Sequence, residues 1–569
     1  MREDALTLGK ILVTSAWPYI NVTPHLGNLI GSVLSADVVA RYYRLRGDDV
    51  LMVSGSDEHG TPIEVEALKQ GITPKELTDR NHAYVADLFR RWGASFDNYT
   101  RTENPVHKEF VQALLMKIYE RGYIFSEETQ MLYCESDKRF LPDRYVEGKC
   151  PHCEYEHARG DQCDLCGRLL ETLVEPHCVI CGNAPVLKTT KHWYIDLSRL
   201  AEPLREYIQD NKQLPANAKN FSLNWIKEGL KARAVTRDVE WGIPAPFPGA
   251  EGKTIYVWVE AVLGYVSATV EYCRRLGKPE LWREFWFDKG ARTLFFVGKD
   301  NIPFHTIILP ALLLASGEGY NLPWNVSATE FLQFKGEKAS KSRRVGIWLD
   351  EALELFPVDY WRFFLVATRP EAKDANFSWE FFVDKINADL NDTFGNFIHR
   401  TLSFINARFE GEVPPSELLT AEDEAVLQSI REKVDAMAEE FETAKLQSAA
   451  NTLISLSRVG NQYLNEKEPW HLLKTDKAKA AAVLYVAVQF VKALTVASAP
   501  IIPGTAERLW QTLNLSGSVH GCNWSEALVP LESGHRIAIA SPLFRKIDAN
   551  EEQLDELLLK AREKMANAK

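Results

Sequence analysis

Residues 24–28 read Pro24-His25-Leu26-Gly27-Asn28 and lie between an apolar run at residues 11–13 and a helical pattern at residues 29–45. This order predicts a buried strand, a turn and a helix. The turn places His25 and Asn28 where free backbone N–H groups and the helix dipole favour anions. Gly27 has no side chain, so a nucleotide can approach the backbone closely. The segment therefore predicts a phosphate-binding turn at the start of an α/β domain.

The same alternation of strand and helix extends along much of the chain. Apolar runs at residues 50–53 and 293–297 predict further strands, and residues 106–120 and 307–315 predict helices. This alternation is typical of a doubly wound parallel sheet, which binds ligands at the carboxyl ends of its strands. The polar residues that follow the predicted strands are His25, Asp57, Gly298, Lys299 and Asp300.

Beyond residue 385 the strand signals fade and helical patterns take over. Apolar residues recur at intervals of three and four over residues 418–441 and 445–463, which predicts an α-helical bundle. The apolar stretch at residues 480–503 contains Gln489 and Lys492, so we expect a buried helix of that bundle and no membrane segment. Residues 551–569 predict a charged amphipathic helix.

A second phosphate-binding signal is Gly336-Glu337-Lys338-Ala339-Ser340-Lys341-Ser342. Its two lysines supply mobile positive charge, which suits a leaving pyrophosphate whose negative charge grows in the transition state. Each signal alone is weak, because a turn histidine is commonly a cap and a Lys-Ser loop is commonly solvated surface. In this order and at this separation, the two segments predict one polyphosphate site.

The cysteines indicate bound zinc. Three Cys-x2-Cys pairs lie close together, namely Cys150/Cys153, Cys163/Cys166 and Cys178/Cys181. The first two pairs complete one tetrahedral site that leaves no position for water, so its role is structural. A second zinc site would join Cys178 and Cys181 to Cys134 and Asp137, with His177 as a rival fourth ligand. Disulfides are the alternative, but nothing in the sequence points to a secreted chain.

Composition agrees with a large globular enzyme of several domains, with 569 residues, 46% hydrophobic and 25% charged. The net charge of −12 argues against a generic nucleic-acid coat, because non-specific binding depends on neutralised phosphates. It still allows a tRNA held by local patches, such as residues 335–344 and the helix that bears Arg400 and Arg408. The acidic start of the chain does not resemble a signal peptide, so we expect a cytoplasmic protein without membrane contact.

Residues 24–28 resemble the HIGH signature of class I aminoacyl-tRNA synthetases, and residues 338–342 resemble KMSKS. Asn28 replaces the second histidine and Ala339 replaces the methionine, both mild changes since an amide still donates to phosphate. Across nearly the whole chain the resemblance is to the methionyl-tRNA synthetase family. It implies methionine–tRNA ligase activity with ATP, Mg²⁺, L-methionine and tRNA(Met), including the initiator.

The resemblance also implies a division of the chain. A Rossmann-type catalytic domain would be interrupted by a zinc-knuckle insertion and followed by an α-helical anticodon-binding domain. The expected ranges are 1–120 and 241–325 for the catalytic halves, 121–240 for the insertion, 326–385 for the lysine-loop region and 386–569 for the helical domain. No dimerising extension follows, so we expect a monomer.

Site residues follow from the same resemblance. The methionine pocket would consist of Ala16, Trp17, Tyr19, Asp57, Trp258, Ala261, Val262, Tyr265 and His305. Asp57 would receive the substrate ammonium and Arg237 would lie near that carboxylate, although either could instead form a structural ion pair. We assign the neighbouring His59 to orienting Asp57 and not to catalysis. ATP would bind at His25, Gly27, Asn28, Gly298, Lys299, Asp300, Lys338, Ser340 and Lys341. Of these, His25, Asn28, Lys338 and Lys341 would carry catalysis. Asn396, Arg400 and Trp470 would read the anticodon, by hydrogen bonds and by stacking.

Two other functions remain compatible with these patterns. One is a class I synthetase for cysteine, leucine or valine, although the leucyl and valyl enzymes would need a far larger insertion. The other is a non-catalytic tRNA-binding or zinc-ribbon module that has kept the fold. His25, Asp57 and the two lysines of the loop argue against that module.

Overall fold

The structure, a computed structural model, describes residues 8–160, 163, 165, 170, 172–337 and 345–568. Its centre is a sheet of five parallel strands. Their spatial order is Asn325–Thr329, Arg292–Gly298, Lys10–Ser15, Asp49–Ser56 and Asn98–Arg101. The predicted strands at residues 11–13, 50–53 and 293–297 are confirmed. This is the doubly wound α/β arrangement that the sequence predicts.

The first strand, Lys10–Ser15, lies in the middle of the sheet, and the chain winds outward from it in both directions. Strand order reverses between Lys10–Ser15 and Arg292–Gly298, so a ligand crevice opens at their carboxyl ends. Ile11, Leu12 and Val13 are fully buried because helices cover both faces of the sheet. The turn that contains His25 follows directly from this edge.

Helices on the sheet connect the strands. The helix predicted at residues 29–45 is a short α-turn Leu26–Asn28, a π-helix Leu29–Val33 and an α-helix Leu34–Arg46. The one predicted at residues 307–315 is likewise a π-helix, Phe304–Ile308, continued by Leu309–Ser316. The other main helices of this part are Thr61–Gln70, Pro74–Arg91, Pro105–Glu120, Val257–Arg275, Trp282–Trp286, Leu349–Leu355 and Val358–Ala367.

Between the two halves of the sheet lies a mostly antiparallel insertion. A long antiparallel pair joins Ile124–Cys134 to Val186–Ile195. The smaller strands are Arg139–Phe140, Val146–Lys149, Ala158–Arg159, Val174–Cys178, Arg233–Ala234, Thr236–Arg237 and Thr254–Ile255. The helices Ala201–Asp210 and Ala216–Glu228 and the 3-10 turns Asp143–Tyr145, Leu197–Leu200 and Lys299–Asn301 complete this half of the chain. Two further short strands, Leu332–Phe334 and Ala375–Phe377, pair in parallel on either side of the lysine-loop region.

After the sheet, the regular elements of the described chain are helices, with an irregular stretch over residues 529–550. The elements are Trp379–Lys385, the π-helix Ile386–Gly395, Asn396–Arg408, Ala421–Glu442, Leu446–Lys467, Pro469–Thr475, Lys477–Ser498, Pro503–Thr512, the 3-10 turns Val519–Gly521 and Trp524–Leu528, and Glu551–Ala568. In the described part of the chain, only Lys477–Ser498 is long and apolar enough to cross a membrane, and 94% of its apolar window is buried inside the protein. It is a core helix of the bundle, as predicted for residues 480–503.

A buried ion pair joins the bundle to the sheet. Arg362 is 1% exposed and lies 2.6 Å from the carboxylate of Asp37 on the helix Leu34–Arg46. The same guanidinium donates to the backbone oxygens of Ile501 and Pro500 in the bundle, at 2.9 and 3.1 Å. Apolar residues from both regions share one hydrophobic core around this contact. The two regions therefore pack as one body.

Candidate active site

The turn predicted to bind phosphate is a reciprocal helix cap. His25 Nδ1 accepts the backbone N–H groups of Gly27 and Asn28 at 3.1 and 3.4 Å, and the Asn28 side-chain oxygen accepts the His25 N–H at 3.1 Å. A methyl group on Gly27 would lie 2.9 Å from the His25 ring, so glycine is required for the ring to fold over the turn. His25, Gly27 and Asn28 therefore all lie in one small turn, as the sequence predicts.

The cap decides which proton His25 carries. Burial lowers the pKa of His25 to about 4, so the ring is neutral at pH 7. Because Nδ1 accepts hydrogen bonds, the single ring proton must be on Nε2. Asn28 uses its oxygen in the cap, which leaves its NH₂ group as the donor it can offer. Both side chains can therefore present N–H donors to a phosphate.

The flanks of the second phosphate signal lie against the His25 turn. Lys338, Ser340 and Lys341 lie outside the described residues, but both flanks of their segment reach the His25 turn. On one side Leu26 N–H donates to Ile347 O at 3.1 Å, and Leu349 N–H donates to Pro24 O at 3.0 Å. On the other side the Phe334 ring meets the His25 ring edge-on at 6.4 Å. The structure thus brings the ends of the lysine segment to the first motif.

The third strand-end group, Gly298-Lys299-Asp300, lies at the same edge of the sheet. A side chain at Gly298 would meet Asp300 Oδ1 at 2.7 Å, so this turn is tightly closed. Lys299 Nζ lies 2.7 Å from both Glu330 and Asp374, which balance its charge. An ATP contact by Lys299 would therefore have to share the ammonium with these carboxylates.

The aromatic slot predicted for an apolar side chain begins directly after the first strand, at the edge of the sheet from which the His25 turn also follows. Trp17 is held face-on by two glycines, since a methyl group on Gly55 or Gly264 would lie 2.7 Å from its ring. Tyr265 meets Trp17 edge-on at 6.3 Å between ring centres. On the other side, Tyr19 meets Trp258 edge-on at 6.1 Å. Apolar Ala261 and Val262, also predicted for the pocket, are buried on the same helix as Trp258.

Hydrogen bonds fix the polar end of this slot. His305 Nδ1 lies 2.9 Å from the backbone oxygen of Asn301 and must donate to it, because a carbonyl only accepts. Burial lowers the pKa of His305 to about 4, so its Nε2 is unprotonated and accepts the Tyr265 hydroxyl proton at 2.7 Å. Ala16 continues the first strand through its N–H to Phe296 O at 2.9 Å. The predicted methionine-pocket residues thus line one region.

Asp57 is a buried carboxyl group at the end of the second strand. Its side chain is 2% exposed, and its Oδ1 has no hydrogen-bond partner among the residues that the structure describes. Burial and the neighbouring Glu260 carboxylate raise the pKa of Asp57 well above its ordinary value. A buried carboxylate oxygen without a donor is costly, so the position suits a ligand that brings a positive charge.

The His59 ring does not contact the Asp57 carboxylate directly, so the predicted orienting role would have to act through the backbone of the turn that both residues share. The two ring nitrogens of His59 bind other carboxylates, Nδ1 to Glu260 at 2.7 Å and Nε2 to Glu103 at 2.8 Å. The sequence analysis missed both glutamates. For Glu260 a signal existed, since it is the only charge in the run Val257-Trp258-Val259-Glu260-Ala261-Val262-Leu263. Arg237, expected near Asp57, places its guanidinium 3.6 Å from the centre of the Tyr256 ring.

The cysteines of the insertion gather into two clusters. In one, Asp137 Oδ2 lies 3.2 Å from Cys134 Sγ and 3.0 Å from Cys178 Sγ, and Cys134 Sγ lies 3.4 Å from Cys181 Sγ. His177, the rival ligand, lies instead 3.7 Å from Glu147. In the other, Cys150, Cys153 and Cys163 converge, while Cys166 lies outside the described residues. The described cysteines are free thiols, and their ligand atoms lie within 4.8 Å of one another in each cluster.

The predicted anticodon residues lie together in the bundle. Arg400 places its guanidinium 5.2 Å from the centre of the Trp470 ring and donates to Asn465 Oδ1 at 3.2 Å. Trp470 is half-buried at the start of the helix Pro469–Thr475, and Asn396 is exposed at the start of Asn396–Arg408. This surface therefore offers an aromatic face, a cation and an amide.

Comparisons with known proteins agree with this geometry. A family model described as tRNA synthetases class I (M) matches residues 11–402. A second, described as the anticodon binding domain of methionyl tRNA ligase, matches residues 413–560. Together they cover both the sheet with its insertion and the helical bundle.

Similar proteins cover nearly the whole chain. The methionine–tRNA ligase of Caldivirga maquilingensis is 53% identical over 551 residues, covering 96% of this chain and 93% of the relative. That of Aeropyrum pernix is 53% identical, covering 98% of each chain. The solved Mycobacterium tuberculosis methionyl-tRNA synthetase in complex with methionyl-adenylate superposes with a TM-score of 0.79 at 25% identity, covering 94% of this chain and all of that one. The chain therefore belongs to the methionyl-tRNA synthetases of class I.

Proposed function

We propose that this chain joins methionine to tRNA(Met) in two steps, with both reactions at the carboxyl edge of the central sheet. The observation that carries this proposal is the buried, unpartnered oxygen of Asp57 beside an aromatic slot, next to a helix cap that offers N–H donors. A site of this kind accepts an amino acid with an apolar side chain and a nucleotide at once. Sulfur–aromatic contacts of about 0.3 to 1.5 kcal/mol favour a thioether in the slot.

In the first step, a methionine carboxylate oxygen attacks the α-phosphorus of ATP. A new P–O bond forms as the bond to pyrophosphate breaks, which yields methionyl-adenylate. No protein nucleophile is needed, so catalysis consists of positioning and charge stabilisation. His25 and Asn28 donate to phosphate oxygens, Lys338 and Lys341 balance the departing pyrophosphate, and Mg²⁺ accompanies ATP.

In the second step, a ribose hydroxyl of the terminal tRNA adenosine attacks the carbonyl carbon of the mixed anhydride, and AMP leaves. Asp57 holds the methionine ammonium through both steps, and the slot of Trp17, Tyr265 and Trp258 holds the side chain. Asn396, Arg400 and Trp470 select the tRNA at the anticodon. The match of residues 413–560 to an anticodon-binding family includes Trp470 and supports its part in this role, whereas Asn396 and Arg400 precede the matched range.

Zinc would bind in the insertion. Three sulfurs and one carboxylate within 4.8 Å suit a tetrahedral ion held by Cys134, Asp137, Cys178 and Cys181. Cys150, Cys153 and Cys163 suit a second ion, with Cys166 as the fourth ligand. Bound zinc supplies folding free energy here and takes no part in the reaction.

The test is ATP–pyrophosphate exchange with each of the twenty amino acids in turn. Exchange confined to methionine is the expected result. Exchange with cysteine, leucine or valine would overturn the choice of substrate, and no exchange with any amino acid would favour a tRNA-binding module without catalysis.

A further inference from the structure

One buried histidine beside the methionine site carries no role in the reaction described above. His59 is 1% exposed, and its ring lies between two carboxylates, Glu260 and Glu103, at 2.7 and 2.8 Å. Each ring nitrogen faces one carboxylate oxygen, and only the doubly protonated imidazolium donates to both of them at once. Burial alone would lower the pKa of His59, but Glu260 and Glu103 outweigh it and raise the pKa to about 10.

The histidine is tied to Asp57 through the backbone. Asp57 lies two residues earlier in the same turn, and its carboxylate accepts the His59 backbone N–H. Glu260 belongs to the same cluster, because its charge acts on both Asp57 and His59. Like Asp57 Oδ1, Glu260 Oε2 is buried and finds no hydrogen-bond donor within the described ranges. Two buried acceptor oxygens thus remain for a ligand.

The charges of this cluster can be counted. It contains three carboxylates, those of Asp57, Glu260 and Glu103, and two cations, His59 and Lys108, whose Nζ lies 2.5 Å from Glu103. Three negative charges and two positive ones leave one net negative charge. The adjacent Glu58 carboxylate is balanced separately by Arg101 at 2.8 Å. One further positive charge would neutralise the cluster.

We propose that His59 is a positioning residue that sets the amine-binding cluster to one net negative charge, so that Asp57 is ionised when a single substrate ammonium binds. This rests on the proposed role of Asp57. The raised pKa values of Asp57 and Glu260 indicate that the free cluster holds a proton, which the ammonium displaces. Without the His59 imidazolium the cluster would carry a second uncompensated negative charge. The cluster would then keep a proton when the ammonium binds.

Other groups around His59 do not change this count. From the helix Pro105–Glu120, His107 is neutral because burial lowers its pKa to about 3. Trp241 meets the His59 ring edge-on at 5.6 Å and carries no charge. The titratable and charged groups that face His59 are Asp57, Glu58, Arg101, Glu103, His107, Lys108 and Glu260.

The test uses His59→Gln in the full chain and three ligands measured by calorimetry at pH 7.5. L-Methionine has both charged groups, methioninol keeps only the ammonium, and 4-(methylthio)butanoate keeps only the carboxylate. We expect methionine and methioninol to bind about 10-fold more weakly or worse, and the butanoate to change by less than about 2-fold. Equal weakening of all three, or no weakening, would overturn the proposal.

Two further measurements separate charge from structure. The double variant His59→Gln/Glu103→Gln restores one net negative charge, so methioninol should bind more tightly to it than to the single variant. The methionine affinity of His59→Gln should also rise more steeply between pH 6.5 and 8.5 than that of the parent protein, because loss of a cation raises the pKa of Asp57. Absence of rescue or an unchanged pH slope contradicts the charge argument.

Controls distinguish this inference from the function beneath it. Asp57→Asn should abolish the preference for ligands with an ammonium group. If Asp57→Asn keeps that preference, the proposed role of Asp57 itself is wrong. If Asp57→Asn loses the preference for ammonium ligands and His59→Gln keeps it in full, only the role of His59 is contradicted. His157→Gln makes the same change at an exposed histidine 2.9 Å from Glu147 and should alter none of the three affinities. Should His59→Gln not fold, Glu103→Gln removes the net charge and must weaken methioninol by about 10-fold for the proposal to stand.

Discussion

At the scale of single residues, two glycines position the Trp17 indole of the aromatic slot. Gly264→Ala would place a methyl group 2.7 Å from the Trp17 ring, which is buried and cannot retreat freely. We expect a loss of about 1 to 3 kcal/mol in the free energy of unfolding, together with a raised KM for methionine. Urea unfolding and pyrophosphate exchange measure the two effects.

The matched control is Gly521→Ala. Gly521 has nothing within 4 Å of a new methyl group and is not among the glycines with positive φ. It should behave like the parent protein in both measurements. A Gly264→Ala protein with unchanged methionine KM would show that Trp17 does not shape the slot.

A second residue gives a prediction about pH. His107 Nδ1 lies 2.8 Å from Ser267 Oγ, and burial lowers the pKa of His107 to about 3, below its unfolded value near 6.5. As pH falls below 6.5, only the unfolded chain takes up this proton, so folding loses stability. Relative to His107→Gln, the parent protein should lose about 1.4 kcal/mol between pH 7.5 and 5.5. Urea unfolding of both proteins measures this difference, because the contributions of the other titrating groups cancel. If the free energies of unfolding of the two proteins change in parallel with pH, the prediction is wrong.

The sequence predicts the site residues that follow strands, but not those that meet only in the folded structure. His25, Asn28 and Asp57 follow predicted strands, so chain order alone places them at one edge of the sheet. Glu103 and Glu260 lie 157 positions apart and meet only because His59 lies between them in space. A lone charge in an apolar helix shows that a partner must exist, but not which one.

At the scale of elements, the C-terminal helix Glu551–Ala568 docks on the lysine-loop region. Asp555 accepts the indole N–H of buried Trp379 at 2.9 Å and lies 2.9 Å from Lys335. Asp555→Ala should cost about 1 to 3 kcal/mol, because it leaves a buried donor unsatisfied. Glu556→Ala, which removes only an exposed pair with Lys560, should cost about 0.5 kcal/mol or less. Thermal unfolding of the two variants checks this, and equal midpoints would show that the helix is not held at Asp555.

The insertion gives a prediction about metal. Purified protein should contain one to two equivalents of zinc by elemental analysis, a range that follows from the two clusters. Cys178→Ser should lower the content by about one equivalent and destabilise the insertion, since structural zinc contributes folding free energy. Cys273→Ser, at a buried cysteine outside both clusters, should leave the zinc content unchanged. If Cys178→Ser keeps the full zinc content, Cys178 is not a zinc ligand.

Helical periodicity predicted where the helices lie, but not their winding. The helix after the His25 turn and the one that carries His305 both contain a π-helix, Leu29–Val33 and Phe304–Ile308. A single extra residue in a turn barely changes the spacing of apolar positions, so a 3.6-residue pattern cannot reveal it. Both π-helices flank the ligand crevice, where such turns re-aim side chains.

At the scale of the whole molecule, the sheet and the bundle are joined by buried polar contacts as well as by apolar packing. The guanidinium of Arg362 contacts Asp37 of the sheet region and backbone oxygens of the bundle. A buried pair of this kind is costly to break, because one charge would be left uncompensated. This contact and the shared hydrophobic core hold the sheet region against the bundle.

If the bundle binds the anticodon and the sheet edge binds ATP and methionine, one variant should separate tRNA selection from adenylation. Trp470→Ala removes an aromatic face worth about 1 to 3 kcal/mol per stacked base, and the residue lies in the bundle, whereas the adenylation site lies at the edge of the sheet. Methionine-dependent pyrophosphate exchange should stay near normal, while kcat/KM for aminoacylation should fall by about 5- to 150-fold.

The controls for this prediction lie in the same helix and in the tRNA. His471→Ala removes the exposed neighbour and should affect neither reaction. A tRNA with a changed anticodon should add little further loss in Trp470→Ala, because the contact that detects the change is already absent. If exchange and aminoacylation fall together, Trp470 supports the fold of the bundle and does not read the anticodon. The Arg400 guanidinium 5.2 Å from its ring would then be a packing contact.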